Sequence, residues 1–343
     1  MKTLSSLGME QHFISDLQKH LETPQKIVIF PHKNPDGDAL GSALAWMHFL
    51  IKNNHETVVI SPNDYPNFLN WLPGQETVLK FTKDTKAVRQ KIKTASLIFT
   101  LDFNVLSRVG DLEPLVRLSK ATKIMIDHHE TPGNYAELMY SDPKMSSTCE
   151  MVYNLIYELN KKAFTSDIAN CLYTGIMTDT GSFRYTATTP NTHKAIAHLI
   201  EEGASITNIH QQVYDSASFS RLKLLGITLS NMKQIKNFPI VYMTLSQDEL
   251  NACDYKKGDT EGFVNYGLSL EGIIFSCIMI ENEQEGILKM SFRSQGEFSV
   301  NDFARTYFNG GGHHNAAGGM STDSINDTVS RFENAIKEVA SQF

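Results

Sequence analysis

The sequence predicts an α/β protein in two parts. The first is a mostly parallel sheet with helices on both faces; the second is a smaller α/β domain, with a cleft between the two. Three observations carry this expectation. Short apolar, β-branched runs alternate with longer helical patterns through the first half, as in a parallel sheet covered on both sides. After Asn237-Phe238-Pro239 the character changes to alternating strands and a hairpin pattern. The 343 residues suit about two domains. We place a first domain at 1–195, a helical linker at 196–235 and a second domain at 236–343. No internal repeat is visible.

The elements follow in order. Lys26–Phe30 (KIVIF) is an apolar strand, followed by a polar loop, PHKNPDGDALGS, and a helix over ALAWMHFLIKN. Thr57–Ser61, Ser96–Phe103 and Lys123–Asp127 are further strands, with a helical pattern around Pro114–Lys120. Ser146–Leu159 is a helix whose start offers Ser146, Ser147 and Thr148 as caps, with Glu150 three residues after Ser147 as in a capping box. Ser166–Met177 and Thr192–Glu202 are helices, the latter closed by Gly203; Asn208–Lys233 is one long helical pattern without Pro. Ile240–Leu245 alternates like a strand, Ile273–Ile280 and Gly286–Phe292 form a hairpin around ENEQEG, and Val300–Phe308 and Ser324–Ala340 are helices on either side of GGGHHNAAGG.

Composition excludes several classes. At 41% hydrophobic and 20% charged residues the chain is neither disordered nor low-complexity. Lys+Arg 31 against Asp+Glu 38 leaves a net charge of -7, which argues against coating long duplex nucleic acid with a diffuse basic face. Cys149, Cys171, Cys253 and Cys277 form no Cys-x-x-Cys pair, so they read as reduced, buried thiols and not as a zinc or disulfide scaffold. The N-terminal MKTLSSLGMEQHFISDLQKHL has no apolar core of a leader, and the longest apolar runs fall far below the roughly 20 residues of a membrane span. We expect a cytoplasmic protein with no membrane partner; oligomeric state is not legible.

Four segments carry chemistry. His32-Lys33-Asn34-Pro35-Asp36-Gly37-Asp38 follows a strand directly and offers one imidazole and two carboxylates on a loop bent by Pro and Gly. Asp102 ends the strand SLIFTLD, and Asp127-His128-His129 ends KIMID. Asp179 lies in Thr178-Asp179-Thr180-Gly181, where Gly181 also reads as a left-handed helix terminator. Each alone also admits a bland reading as a turn or a cap, the His32–Asp38 cluster least of all. Together His32, Asp36, Asp38, Asp102, His128 and Asp179 suffice for two divalent ions if one carboxylate bridges. Carboxylate-rich sites with a few imidazoles suit Mn²⁺ or Mg²⁺, with Zn²⁺ or Co²⁺ as alternatives, and paired ions roughly 3.5–4 Å apart serve phosphoester hydrolysis. Near the C-terminus, three glycines let backbone approach an anion and successive N–H groups can form a nest; Arg293, after Ser291 and Phe292, offers a fork suited to phosphate.

These motifs resemble those of the DHH phosphoesterase superfamily. The first four match its metal motifs, and Gly310-Gly311-Gly312-His313-His314-Asn315-Ala316-Ala317-Gly318 is similar to the hallmark of its DHHA1 C-terminal domain. The resemblance runs from about 25 to 340 and is greatest to the nanoRNase/pAp phosphatase (exopolyphosphatase-related) branch. It implies two divalent cations, Mn²⁺ first among them. His32 and Asp36 would hold one, Asp38, His128 and Asp179 the other, and Asp102 would bridge. His129 would face the substrate as a general acid or phosphate contact, while Asp127 and Asn34 would support the ligands from behind. Ser291, Arg293, Gly311, Gly312 and His313 would contact substrate phosphate; Arg108 and Arg184 are weaker candidates. The substrates implied are short single-stranded RNA and 3'-phosphoadenosine 5'-phosphate (pAp). Exopolyphosphatase-like and cyclic-dinucleotide phosphodiesterase activities are alternatives, and a non-catalytic nucleotide-binding module is a rival of another class, disfavoured because no expected ligand residue is missing.

Overall fold

A computed structural model describes residues 11–343. Met1–Glu10, half of the stretch read above as lacking a leader, lies outside the described residues. The chain divides into two compact units at Ser216/Ala217.

The first unit contains α1 (Gln11–Leu21), β1 (Lys26–Phe30), α2 (Gly37–Lys52), β2 (Glu56–Ser61), β3 (Leu79–Lys80), α3 (Phe81–Thr94) and β4 (Leu97–Leu101). It continues with α4 (Glu113–Leu118), β5 (Thr122–Asp127), β6 (Leu138–Ser141), α5 (Thr148–Asn160), α6 (Ser166–Asp179), α7 (Pro190–Glu201) and α8 (Ile206–Tyr214). Its six strands form one sheet in the order β3-β2-β1-β4-β5-β6, every pair parallel. Because side chains alternate across a strand, Ile27, Ile29, Phe99 and Ile126 enter a core shared with α1, α2, α5 and α6. Val28, Phe30 and Ile98 face the opposite core with α3 and α4. The strand order reverses between β1 and β4, which opens the ligand crevice of an α/β sheet at their carboxyl ends.

Two expectations change here. The polar stretch DALGS is not loop: α2 starts at Gly37, because the Asp36 carboxylate accepts from the N–H groups of Asp38 and Ala39 and caps the helix. The glycines that look like loop residues serve packing. A Cβ at Gly37 would lie 2.4 Å from Thr178 Oγ1, and one at Gly41 would lie 2.6 Å from the Cys171 carbonyl, so α2 crosses α6 at close range. The capping box at α5 is half formed. Ser147 Oγ accepts from the Glu150 N–H at 3.0 Å, but the Glu150 carboxylate turns to the hydroxyls of Ser146 and Thr192.

The second unit contains α9 (Phe219–Ser230), β7 (Lys233–Gln234), β8 (Ile240–Leu245), α10 (Gln247–Ala252), β9 (Phe275–Asn282), β10 (Ile287–Ser294), α11 (Val300–Tyr307), β11 (Gly311–His313), β12 (Ala316–Ser321) and α12 (Ile325–Glu338). The expected continuous helix over 208–233 breaks between α8 and α9, where Ser218 caps the new helix by accepting from the Arg221 N–H at 3.0 Å. The sheet order is β11-β12-β10-β9-β8-β7. Only β8 and β9 pair in parallel; the β9–β10 hairpin is antiparallel as expected. One face packs Phe275, Met290 and Phe292 against α11 and α12. The other packs Met243, Leu245 and Ile278 against α9 and α10.

Candidate metal centre

β1, β4 and β5 are neighbours in the sheet although β2 and β3 intervene in sequence. β2 crosses to the far side of β1, so His32–Asp38, Asp102 and Asp127–His129 emerge side by side from three adjacent carboxyl ends. The close crossing of α2 and α6 adds Asp179, the last residue of α6.

Two of the donor clusters that result, His32–Asp36–Asp102 and Asp38–Asp102–His128, share Asp102, which also lies within reach of Asp127 and His129. His32 Nε2 lies 3.7 Å from Asp36 Oδ2 and 3.5 Å from Asp102 Oδ2. His128 Nε2 lies 3.4 Å from Asp102 Oδ1, 3.4 Å from Asp179 Oδ2 and 3.8 Å from Asp38 Oδ2. The tautomers are set from behind, since a carbonyl can only accept. His32 Nδ1–H donates to the Lys33 carbonyl at 2.9 Å and His128 Nδ1–H to the Met145 carbonyl at 3.2 Å. In the neutral imidazoles, lone pairs at Nε2 therefore face carboxylate oxygens. Such an array repels itself unless positive charge enters. Donors about 2.1 Å from one ion and 90–110° apart stand about 3.0–3.4 Å from each other, close to the separations seen. Asp36, Asp38, Asp102 and Asp179 carry the four negative charges that two divalent cations would neutralise. The residues fit a pair of such ions.

Protonation shows the same strain. At Asp38, burial and the nearby Asp102 and Asp179 carboxylates push the carboxyl well up. Burial is the chief cause at Asp179 as well, raising it to about 6. For His32, burial works against the charged form but is outweighed by Asp102 and Asp36, which lift it to about 10. Without cations, the pocket must hold protons in their place.

The other predicted residues fall as follows. Asp127 is fully buried and accepts from His129 Nδ1–H at 2.7 Å; its Oδ2 has no hydrogen-bond partner. Asn34 pairs reciprocally with Asn63, at 2.7 Å through its N–H and 2.6 Å through its Oδ1, and so holds the loop of His32. Arg108 receives Lys33 N–H on its carbonyl at 2.7 Å, and Arg184 Nε donates to the Gly181 carbonyl at 2.7 Å. In the second unit, cross-strand register places Ser291, Gly318 and Gly311 in one row and Arg293, Ala316 and His313 in the next. They share one face, opposite the buried Phe292 and Ala317. The anion nest expected of the glycines is corrected: Gly311–His313 is an extended edge strand. The Gly312 N–H is taken by Asn301 Oδ1 at 2.9 Å and the Gly310 N–H by the Ala304 carbonyl at 3.0 Å. Gly310 and Gly312 are required because a Cβ would lie 2.0 and 2.4 Å from carbonyl oxygens of β12, whereas Gly311 has room.

Sequence reasoning missed the residues behind the ligands. Thr148 N–H and Cys149 N–H donate to the two oxygens of Asp38 at 2.7 and 2.8 Å, and Thr148 Oγ1–H donates to Asp102 Oδ1 at 3.0 Å. The available signal was the Ser-Ser-Thr run, read only as a helix cap. Gly175 was missed as well. A Cβ there would lie 2.1 Å from Cys149 Sγ and 3.0 Å from Asp38 Oδ1. Gly175→Ala is therefore expected to cost about 1–3 kcal/mol through overpacking and to lower activity by displacing Asp38. Adding Cys149→Ala should recover part of the thermal midpoint; a single variant that melts with the wild type would contradict the close fit.

Residues 26–176 match the DHH family, N-terminal domain, and residues 237–343 match the DHHA1 domain. The chain is 30% identical over 309 residues to the bifunctional oligoribonuclease and PAP phosphatase NrnA of Thermus thermophilus, covering 90% of this chain and 87% of that protein. The chain belongs to the DHH family. The NrnA of Bacillus subtilis is 26% identical over 334 residues, covering 94% of this chain and 99% of the relative. The crystal structure of an exopolyphosphatase-related protein from Bacteroides fragilis superposes with a TM-score of 0.92 at 39% identity, covering 96% of this chain and 97% of that one. DHH phosphoesterases are metal-dependent hydrolases of phosphoester bonds, and this DHH protein carries the acidic and imidazole clusters that such an enzyme requires. Among the described residues, no helix is long and apolar enough to cross a membrane.

Proposed function

We propose that this DHH protein hydrolyses short oligoribonucleotides and pAp to mononucleotides, using two divalent cations, Mn²⁺ first among them. The observation that carries the chemistry is the pair of donor clusters joined by Asp102. The substrate class rests on the NrnA relatives, oligoribonucleases and PAP phosphatases matched along nearly their whole length.

In this reading His32, Asp36 and Asp102 hold one cation, and Asp38, Asp102, His128 and Asp179 hold the other. When bound, the pair supplies charge neutralisation at the phosphoryl group and activation of water. The protein's own groups do the rest. His129, with Nδ1 committed to Asp127, is oriented to pass a proton from Nε2 to the departing ribose oxygen. Asp127 holds that tautomer and stabilises the imidazolium. Arg293 forks onto a substrate phosphate, with Ser291 and His313 beside it and the unobstructed Gly311 leaving space for the backbone of a short strand.

The test is a comparison of kcat/KM in Mn²⁺ over pAp, labelled RNA from dimers to long chains, cyclic di-AMP, pyrophosphate and polyphosphate. RNA of a few nucleotides and pAp should rank highest. A higher value on polyphosphate or cyclic di-AMP would replace the substrate assignment and leave the phosphoesterase chemistry standing. Arg293→Ala is expected to raise KM on pAp about tenfold or more, the loss of a charge-assisted pair of ~1.5–3 kcal/mol, with kcat less affected. An unchanged KM would remove Arg293 from phosphate capture.

A further inference from the structure

The segment Met145–Cys149 touches three of the six candidate ligands from behind. Its Met145 carbonyl sets the His128 tautomer, its Thr148 and Cys149 amides hold Asp38, and its Thr148 hydroxyl holds Asp102. We propose that Thr148 is a positioning residue whose hydroxyl fixes the rotation of the Asp102 carboxylate shared by the two clusters. This rests on the two-cation reading above.

Asp102 turns one oxygen toward His32 and the other toward His128, with His129 Nδ1 3.7 Å from the second. Oδ1 lies 3.4 Å from His128 Nε2 and Oδ2 lies 3.5 Å from His32 Nε2. A carboxylate turns easily about its last torsion unless a bond holds its plane, because that rotation is broad and two-fold. Thr148 Oγ1–H supplies that bond, donating to Oδ1 at 3.0 Å. The hydroxyl is well placed for this. Thr148 is fully buried, and β-branching restricts its own rotamers. Its backbone is anchored by the bond from its N–H to Asp38. The helix start is pinned by the Ser147 cap and by Glu150, which accepts from Ser146 and, at 2.8 Å, from Thr192 at the start of α7. One side chain thus ties the shared ligand to the main chain that grips Asp38, coupling the two clusters mechanically.

Thr148→Val keeps shape and backbone but removes the hydroxyl; Thr148→Ser keeps the hydroxyl. Calorimetric titration of the full chain with Mn²⁺ should show two equivalents bound in the wild type. Thr148→Val should weaken binding about 10–100-fold, the usual effect of losing a ligand's supporting hydrogen bond, and Thr148→Ser should stay close to wild type. Electron paramagnetic resonance adds a readout independent of turnover: the spin-coupled Mn²⁺ pair of the wild type should give way to separate ions in Thr148→Val. Thr148→Ala, free of any crowding by the added methyl, must behave as Thr148→Val does. Wild-type affinity and coupling in either variant, with two equivalents bound in the parent, would overturn the role of Thr148 alone. A parent that binds fewer than two equivalents would overturn the two-cation reading itself.

Discussion

Asp102→Asn is expected to abolish turnover, lowering kcat by about 10³–10⁵, while the protein stays folded. The magnitude follows from what one substitution removes. Cation pairs contribute several kcal/mol of transition-state stabilisation, and each 1.36 kcal/mol is a factor of ten in rate. Asp102 belongs to both donor clusters, so its loss disturbs both. Asparagine is the substitution to use because Asp102 has φ 66, in the left-handed region. Asn tolerates that region, whereas Ala would add backbone strain. Asn also keeps an oxygen to accept from Thr148. Thermal unfolding in chelator should place the variant within a few degrees of wild type. Retention of more than a tenth of wild-type kcat would remove the bridging role.

Chelation is expected to have an effect of the same order. Protein stripped with EDTA should lose all hydrolysis and recover it with Mn²⁺. Its thermal midpoint should rise with added Mn²⁺, since occupancy at about 100 times Kd contributes ~2.7 kcal/mol per site. The pH dependence has a definite sign. In the cation-free protein the His32 pKa is raised from 6.5 to about 10. Its contribution to stability is then fully present below about pH 6.5 and is lost as pH rises through about 10. A cation must displace that proton, so Mn²⁺ affinity should climb across the same window. Affinity independent of pH would show that His32 is not displaced from its protonated form by the metal.

The chemistry-bearing residues were legible because their signals are local. A His or Asp directly after an apolar run marks the carboxyl end of a strand whatever the rest of the chain does. Gly181, with φ 55, ends α6 as its position suggested. The hairpin of β9 and β10 was legible for the same reason, since period-two alternation and turn residues lie within a few positions of each other. The errors came where one residue type has two uses. Gly37 and Gly41 read as loop because glycine is frequent in turns, yet they allow two helices to touch. The three glycines 310–312 read as an anion nest, yet Gly310 and Gly312 admit a neighbouring strand.

The class of fold, the donor types and the strand ends that carry His32, Asp102 and His128 are written in the chain's local pattern, because periodicity and short-range spacing encode these directly. Tertiary packing alone brings β1, β4 and β5 side by side, sets Asp102 between His32 and His128, and lets Thr148 reach it across 46 positions of chain. Strand order and such distant hydrogen bonds are fixed by how whole elements pack, and no local pattern of residues records that.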